Sequence, residues 1–540
     1  MKFFSRTQAF KFTIVSIALV ATAFSPRWWV VDAGSDDLLY AKQAVSLLSG
    51  NWLGPFQDGA ALKLPGFQFF LAISAATHIP YFILLILLQS VFALKFSAQF
   101  LRFGFSERTT NLIFGFLVFS PVMYGFSNSR LLRDGFYSVL LLGLVTYCGE
   151  IYCQLKESSL NKKKIFLSMF AFTVIGSWLI FTREEGPLVV FIILFGVIAL
   201  LLTNRGKGSK YRQKLLIGLL VANMLSISSV NLIIVNLNKN YYGINSAAIL
   251  QSGPLDALIK QWSRVNPVNE NPRISVSYQQ RSIVYEQIPE LGKIASRLES
   301  TASFYQDVSC NAAQVCDEVG AGWISWAIFY MAQSELPSDK KGQETMKLLD
   351  HWTSLIKRYC LAAESNCSKD IRLPGLGSLQ NFPKVILEMP VQIANFAQMK
   401  ATFDSVGLSF GNQSNADVFR TLISFSGPPR TWAESPIGIS FMPVLMLFLS
   451  ILLIILIAIS VRDDKTKNRS HGLLKVYFAM VSFSILIRAF TTAIFEINAV
   501  DTKATQYLMP GVALMWDLFL LTVIFVATFS RLPAIRNLKT

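Results

Sequence analysis

Charge is scarce in this sequence. Asp, Glu, Lys and Arg make up 15% of the 540 residues, where a soluble chain carries about 25%. Only three histidines occur, His78, His351 and His471, and they stand far apart. There is no Walker lysine loop, no Gly-x-Gly-x-x-Gly run after a strand and no His-Glu-x-x-His helix. These absences exclude a soluble multidomain enzyme, a disordered chain, a fibrous repeat and an ATP-driven pump.

What is present is apolar: 52% of residues are hydrophobic and 13% aromatic. Runs long enough to cross a bilayer, about 20 residues each, recur near 12–24, 80–101, 109–126, 135–154, 165–182, 187–203, 215–237, 437–461, 474–497 and 507–530. The first resembles a signal peptide, but no small-residue cleavage site precedes Pro26-Arg27-Trp28-Trp29, so it reads as a retained helix. The segment Phe67 to His78 is too short to span and reads as an interfacial helix.

The chain carries 49 Lys and Arg against 33 Asp and Glu. In a soluble protein that excess would point to nucleic acid. Here the basic residues fall between apolar runs, and no nucleic-acid partner is implied. With about ten crossings and the N-terminus inside, every cluster lands on the cytoplasmic side, as the positive-inside rule requires. The clusters are Lys156 with Lys162, Lys163 and Lys164; Arg205, Lys207, Lys210, Arg212 and Lys214; Arg462, Lys465, Lys467 and Arg469; and Arg531, Arg536 and Lys539.

The fold expected is therefore an all-α polytopic membrane protein. Residues 1–237 form a transmembrane core with a first outer loop at 26–79, residues 238–436 a mainly helical extracytoplasmic domain, and residues 437–540 the last transmembrane helices. Tyr278 to Arg297 and Gly342 to Leu361 read as amphipathic helices of that domain, with Trp262, Trp323, Trp326 and Trp352 as candidate core aromatics. Four of six cysteines lie in it. Their close spacing predicts two disulfides, Cys310–Cys316 and Cys360–Cys367, with a zinc site as the alternative. Cys148 and Cys153 read as packing residues in an apolar helix.

Polar residues gather at the expected outer face. The first loop holds Asp36, Asp37, Tyr40 and Lys63; the next turn Arg130, Arg133 and Asp134; the following one Arg183, Glu184 and Glu185. Arg488 lies inside the ninth span with Glu496 at its end, and Gln506-Tyr507 open the tenth. Charges within or beside spans are costly and mark functional sites. Guanidinium and ammonium groups suit a lipid phosphate, and a carboxylate suits proton abstraction from a hydroxyl. Competing structural roles are plain: Asp36-Asp37 as helix cap, Arg130 and Arg133 as snorkelling side chains, and Arg183-Glu184-Glu185 as an ion pair.

The ordered series Asp36-Asp37-Leu38-Leu39-Tyr40-Ala41, Ser49-Gly50-Asn51-Trp52, Asp58-Gly59 and Lys63-Leu64-Pro65 resembles the first outer loop of GT-C membrane glycosyltransferases, in particular aminoarabinose transferases and protein O-mannosyltransferases. Ser129-Arg130 with Asp134, and Gln506-Tyr507-Leu508-Met509-Pro510, resemble later motifs of the family more faintly. Asp37 stands where the family has Glu, Leu64 where it has Pro, and Gln506 where it often has Arg.

The resemblance implies a GT-C-like fold and transfer of a sugar from a polyprenyl-phosphate donor, with inversion, to a glycan, lipid or protein acceptor. Asp36 would be the base, aided by Asp37. Lys63, with Tyr40, Arg130, Arg133, Asp134, Arg183, Glu184, Glu185, Arg488, Gln506 and Tyr507, would bind substrate. No cofactor is certain, and a divalent cation at the acidic pair stays open. The expected location is a bacterial cytoplasmic membrane, with the site facing the periplasm or exterior. Two rivals are a flippase for lipid-linked sugars and a non-catalytic envelope assembly protein.

Overall fold

The structure is a computed structural model. It describes residues 6–24, 36–124, 131–157, 159–183, 185–203, 209–250, 253–266, 271–320, 322–337, 341–362, 366–368, 372–373, 377–378, 381–398, 436–463, 471–498 and 508–529. The first half of the chain contains α1 (Arg6–Phe24), α2 (Asp36–Leu48), α3 (Gly66–Ala76), α4 (Tyr81–Arg102), α5 (Glu107–Val118), α6 (Asp134–Lys156), α7 (Lys162–Ile180), α8 (Gly186–Thr203) and α9 (Ser209–Tyr242). The last three helices are α18 (Pro436–Asp463), α19 (His471–Asn498) and α20 (Met509–Phe529).

This is an all-α polytopic membrane protein. Among the described residues, seven helices are long and apolar enough to cross a bilayer: α4, α6, α7, α9, α18, α19 and α20. The other three expected crossings are also helices, but fall short of that standard. α5 stops at Val118, because Pro121 three residues on has no N–H with which to continue the ladder. Its 12 residues span about 18 Å, well under a bilayer core of about 30 Å. α1 begins with Arg6 and carries Lys11, and the apolar part of α8 runs only from Leu188 to Thr203. α3 has 11 residues and is likewise too short to cross.

Aromatic rings fill the space between these helices. Phe70 stacks on Phe136 at 4.2 Å, Phe195 on Phe483 at 4.1 Å, and Phe116 on Trp516 at 5.0 Å. Such contacts join α3 to α6, α8 to α19, and α5 to α20. Cys148 and Cys153 are buried free thiols in α6.

Between α9 and α18 lies the polar domain. Its helices are α10 (Pro254–Trp262), α11 (Tyr278–Gln287), α12 (Pro289–Gly292), α13 (Ala295–Phe304), α14 (Gln306–Ala313), α15 (Trp323–Ser334), α16 (Lys341–Ala362) and α17 (Phe382–Ala397). A short antiparallel pair, β1 (Arg372–Leu373) with β2 (Gly377–Ser378), completes it. The single helix expected over 278–297 is broken at Pro289, whose ring ends α11 and opens α12. Trp262 and Trp352 are buried in the core, while Trp323 and Trp326 are only half-buried.

Arg281 organises the centre of this domain. Its guanidinium makes two bonds to Glu299, at 2.7 and 2.8 Å, while Tyr285 donates to the same carboxylate at 2.6 Å. Burial alone would pull the Arg281 pKa down, but the bonds to Glu299 overcome it and leave the group raised. Arg273 anchors the domain to the end of α19, with 2.8 Å to the Glu496 carboxylate and 3.0 Å to its carbonyl. α17 packs along α19, where Val385 meets Ala493 and Ile494.

Cys310 and Cys316 are disulfide-bonded, as are Cys360 and Cys367. The second bridge lies beside the β-bridge between Val265 and Cys367, so it ties the end of α16 to the end of α10. Replacing Cys360 and Cys367 together by Ser is expected to cost about 2 kcal/mol of polar-domain stability, on the loop-closure argument for a short loop. Thermal unfolding of the detergent-purified protein checks this as a lowered transition.

Candidate active site

The first loop is held from several directions. Trp52 Nε1 donates to Asn238 Oδ1 at 2.8 Å and Tyr242 OH to the Gly54 carbonyl at 2.8 Å, fixing the loop to the end of α9. The Ile249 amide donates to the Ala61 carbonyl at 2.8 Å. Gly66 makes the closest joint. Its N–H donates to the Phe181 carbonyl at 2.7 Å, and its own carbonyl accepts from Trp178 Nε1 at 2.7 Å. A Cβ on Gly66 would collide with the Phe181 carbonyl, so only glycine permits this approach.

This frame sets Lys63 against the first turn of α2. Lys63 Nζ lies 2.5 Å from Asp36 Oδ1, and Tyr40, one turn along, places its hydroxyl 3.4 Å from Asp36 Oδ2. The two acids of the pair then part. Asp36 keeps 30% of its side-chain surface, whereas Asp37 is fully buried. Both acids lie in the first turn of α2, where a helix N-terminus carries a partial positive charge. Lys63 Nζ also sits 5.7 Å from the Tyr40 ring centre and 5.8 Å from that of Trp326. Arg133 Cζ approaches the Tyr40 ring at 5.8 Å. The sequence is thus a ladder, Arg133, Tyr40, Lys63, Trp326, in which cations alternate with aromatic rings and gain from each ring's quadrupole.

A second cluster lies deeper. Arg183 pairs with Asp134 and, through Nε at 2.5 Å, with Glu185; Glu185 pairs in turn with Arg488. All four side chains are buried, at 1% to 5% of their surface. Two guanidinium groups meet two carboxylates, so the cluster is neutral in sum. It joins α6, the turn before α8 and the middle of α19. The adjoining cavity, lined by Tyr137, Glu185, Ser484, Arg488 and Thr491 among others, has about 10 Å³ of space, enough for about one water and far too little for a sugar.

Asp36, Tyr40, Lys63 and Arg133 are therefore brought together at one half-open place, and Asp134, Arg183, Glu185 and Arg488 at another that is closed. Arg130, Glu184, Gln506 and Tyr507 lie outside the described residues. Sequence reasoning missed Trp326 as a neighbour of Lys63, having placed it in a domain core. Its only signal was the aromatic spacing Trp323, Trp326, Tyr330 along α15. Among the described residues, no three His, Cys, Asp or Glu side chains gather into a cation site.

The closed cluster makes a specific energetic claim. Removing one partner of a buried ion pair costs about 3–5 kcal/mol, because it strands the other charge. Arg488→Met is expected to destabilise the protein by that order, and Glu185→Leu combined with Arg488→Met to recover most of the loss by leaving Asp134 and Arg183 matched. Thermal unfolding of the three proteins in detergent decides the matter; a double variant no better than the single would refute it.

No protein-family model matches the chain, and no curated protein matches it either. Two solved structures are similar to it in fold search, both of ArnT from Cupriavidus metallidurans. One, bound to undecaprenyl phosphate, is 11% identical over 90% of this chain and 77% of that chain, with a TM-score of 0.34. The other, in the apo state, is 12% identical over 91% and 78%, with a TM-score of 0.33.

Proposed function

We propose that the protein is a membrane-embedded glycosyltransferase that moves a sugar from a polyprenyl-phosphate donor to an acceptor hydroxyl at the non-cytoplasmic face. The observation that carries this reading is the half-exposed Asp36 carboxylate held 2.5 Å from Lys63 at a helix N-terminus, within the loop whose ordered motif resembles GT-C enzymes. Base and phosphate-binding cation then stand side by side, as a single displacement needs.

In this reaction Asp36 accepts the proton of the acceptor hydroxyl. The freed oxygen pair forms a bond to the anomeric carbon, and the bond from that carbon to the phosphate oxygen breaks. The polyprenyl phosphate leaves with the electron pair, and the configuration inverts. Lys63 and Arg133 neutralise the charge growing on the phosphate, the kind of term that contributes several kcal/mol. Tyr40 holds Asp36 and Lys63 in register. Asp134, Arg183, Glu185 and Arg488 act at one remove, by fixing the start of α6 that carries Arg133.

Asp36→Asn keeps the shape but removes the base. Transfer from a synthetic polyprenyl-phosphate sugar is expected to fall about a thousandfold, while binding of polyprenyl phosphate to the purified protein persists. Lys63→Met is expected to weaken that binding. Transfer by Asp36→Asn at the wild-type rate would show that the base is elsewhere.

A further inference from the structure

The polar domain takes no part in the displacement just described, yet one of its helices reaches the site. α15 lays Trp326 beside Lys63, with Nζ 5.8 Å from the ring centre. Tyr330, one turn on, stacks with Trp326 at 6.0 Å and 28°. Both rings are half-buried, so part of each meets solvent.

The helix is seated there by contacts beneath these rings. Phe329 packs edge-on against Phe56 at 5.5 Å, and Gln333 Nε2 donates to the Phe56 carbonyl at 3.3 Å. Phe56 opens the 3-10 turn Phe56–Asp58, and Asp58 at its end is exposed. The same turn reaches Tyr330: a side chain at Gly59, next to Asp58, would lie 3.8 Å from the Tyr330 hydroxyl, and burial, with the Asp58 charge as a second cause, raises that phenol.

The surface beside Lys63 therefore presents two partly open aromatic rings and the exposed Asp58 carboxylate. Asp36 and Asp58 offset the positive charges of Lys63 and Arg133, so the surface has no net charge with which to draw an anion. A purely apolar ligand would strip water from the exposed Asp58 carboxylate. A ring with C–H faces and a rim of hydroxyls satisfies both: the faces lie on the aromatic rings and the hydroxyls donate to the carboxylates. We infer that Trp326, Tyr330 and Asp58 form the acceptor subsite, and that the acceptor is a neutral carbohydrate which lies on Trp326 and presents a hydroxyl to Asp36. This inference rests on the transferase reading for the role of the bound sugar, though not for its binding.

The test is equilibrium binding to the full-length protein in detergent, measured by calorimetry. The probes are neutral trisaccharides of glucose, mannose and N-acetylglucosamine, with a sugar phosphate and a Ser/Thr-rich peptide alongside. At least one trisaccharide is expected to bind saturably with a Kd of roughly millimolar order. Trp326→Ala should weaken it about tenfold, and Trp326→Phe should retain most of it. Asp58→Asn, a surface change that leaves the fold intact, should weaken it about threefold. Asp36→Asn, which loses the charge that accepts the bound hydroxyl, should weaken it by a similar factor.

Absence of trisaccharide binding, binding of the peptide instead, or indifference to both Trp326→Ala and Asp58→Asn would overturn the inference. Failure of the two proposals is distinguishable. A wild-type protein that binds the trisaccharide through Trp326 but transfers no sugar keeps the subsite and loses the transferase. One that transfers sugar while Trp326→Ala binds trisaccharide unchanged keeps the transferase and loses the subsite.

Discussion

The bilayer forbids unmatched charge, and the buried set Asp134, Arg183, Glu185 and Arg488 is this protein's answer. Each side chain alone would be expelled from a low-dielectric interior. Together they form a closed alternation of sign, from the start of α6 through the turn before α8 to the middle of α19. The set is thus a three-way joint between elements far apart in sequence. It fixes the turn after α7 against the start of α6, which serves as the platform beside Arg133.

On the platform, one acid differs from its neighbour only by direction. Asp37 turns inward and is lost to solvent, while Asp36 turns outward onto Lys63. A helical step of about 100° separates adjacent side chains, so two carboxylates in tandem can never share one environment. The pairing of Asp36 with a lysine rather than an arginine is also informative. An ammonium is a compact point charge on a flexible stem, able to pivot at Asp36 while it stays near the rings of Tyr40 and Trp326.

Much of this was legible in the sequence. The apolar runs located most of the membrane helices to within about three residues, because hydropathy is what the bilayer selects, while the polar ends of α1 and α9 run five or six residues beyond them. The paired cysteines declared themselves by spacing in a polar segment. Other features were not legible, for physical reasons. The break of α5 at Pro121 was hidden, since Pro121 sits within an apolar run that reads as continuous. The break at Pro289 was passed over in the same way. Arg183, Glu185 and Arg488 looked like ligand contacts, because a sequence shows that charges lie at similar depth but not that they face one another. The approach of Trp326 to Lys63 spans more than 260 positions and depends on how α15 seats on Phe56, which no local pattern encodes.

The joint at Gly66 has a further meaning for how such a protein can change over generations. Its link from the Gly66 amide to the Phe181 carbonyl is main chain on both sides, and only the Trp178 indole adds a side chain to the joint. The spacing from Lys63 to the turn that bears Arg183 is inherited as a fixed ruler. Variation in what the protein accepts must then arise on the facing wall, in helices whose exposed rings can be exchanged one at a time without moving the ruler.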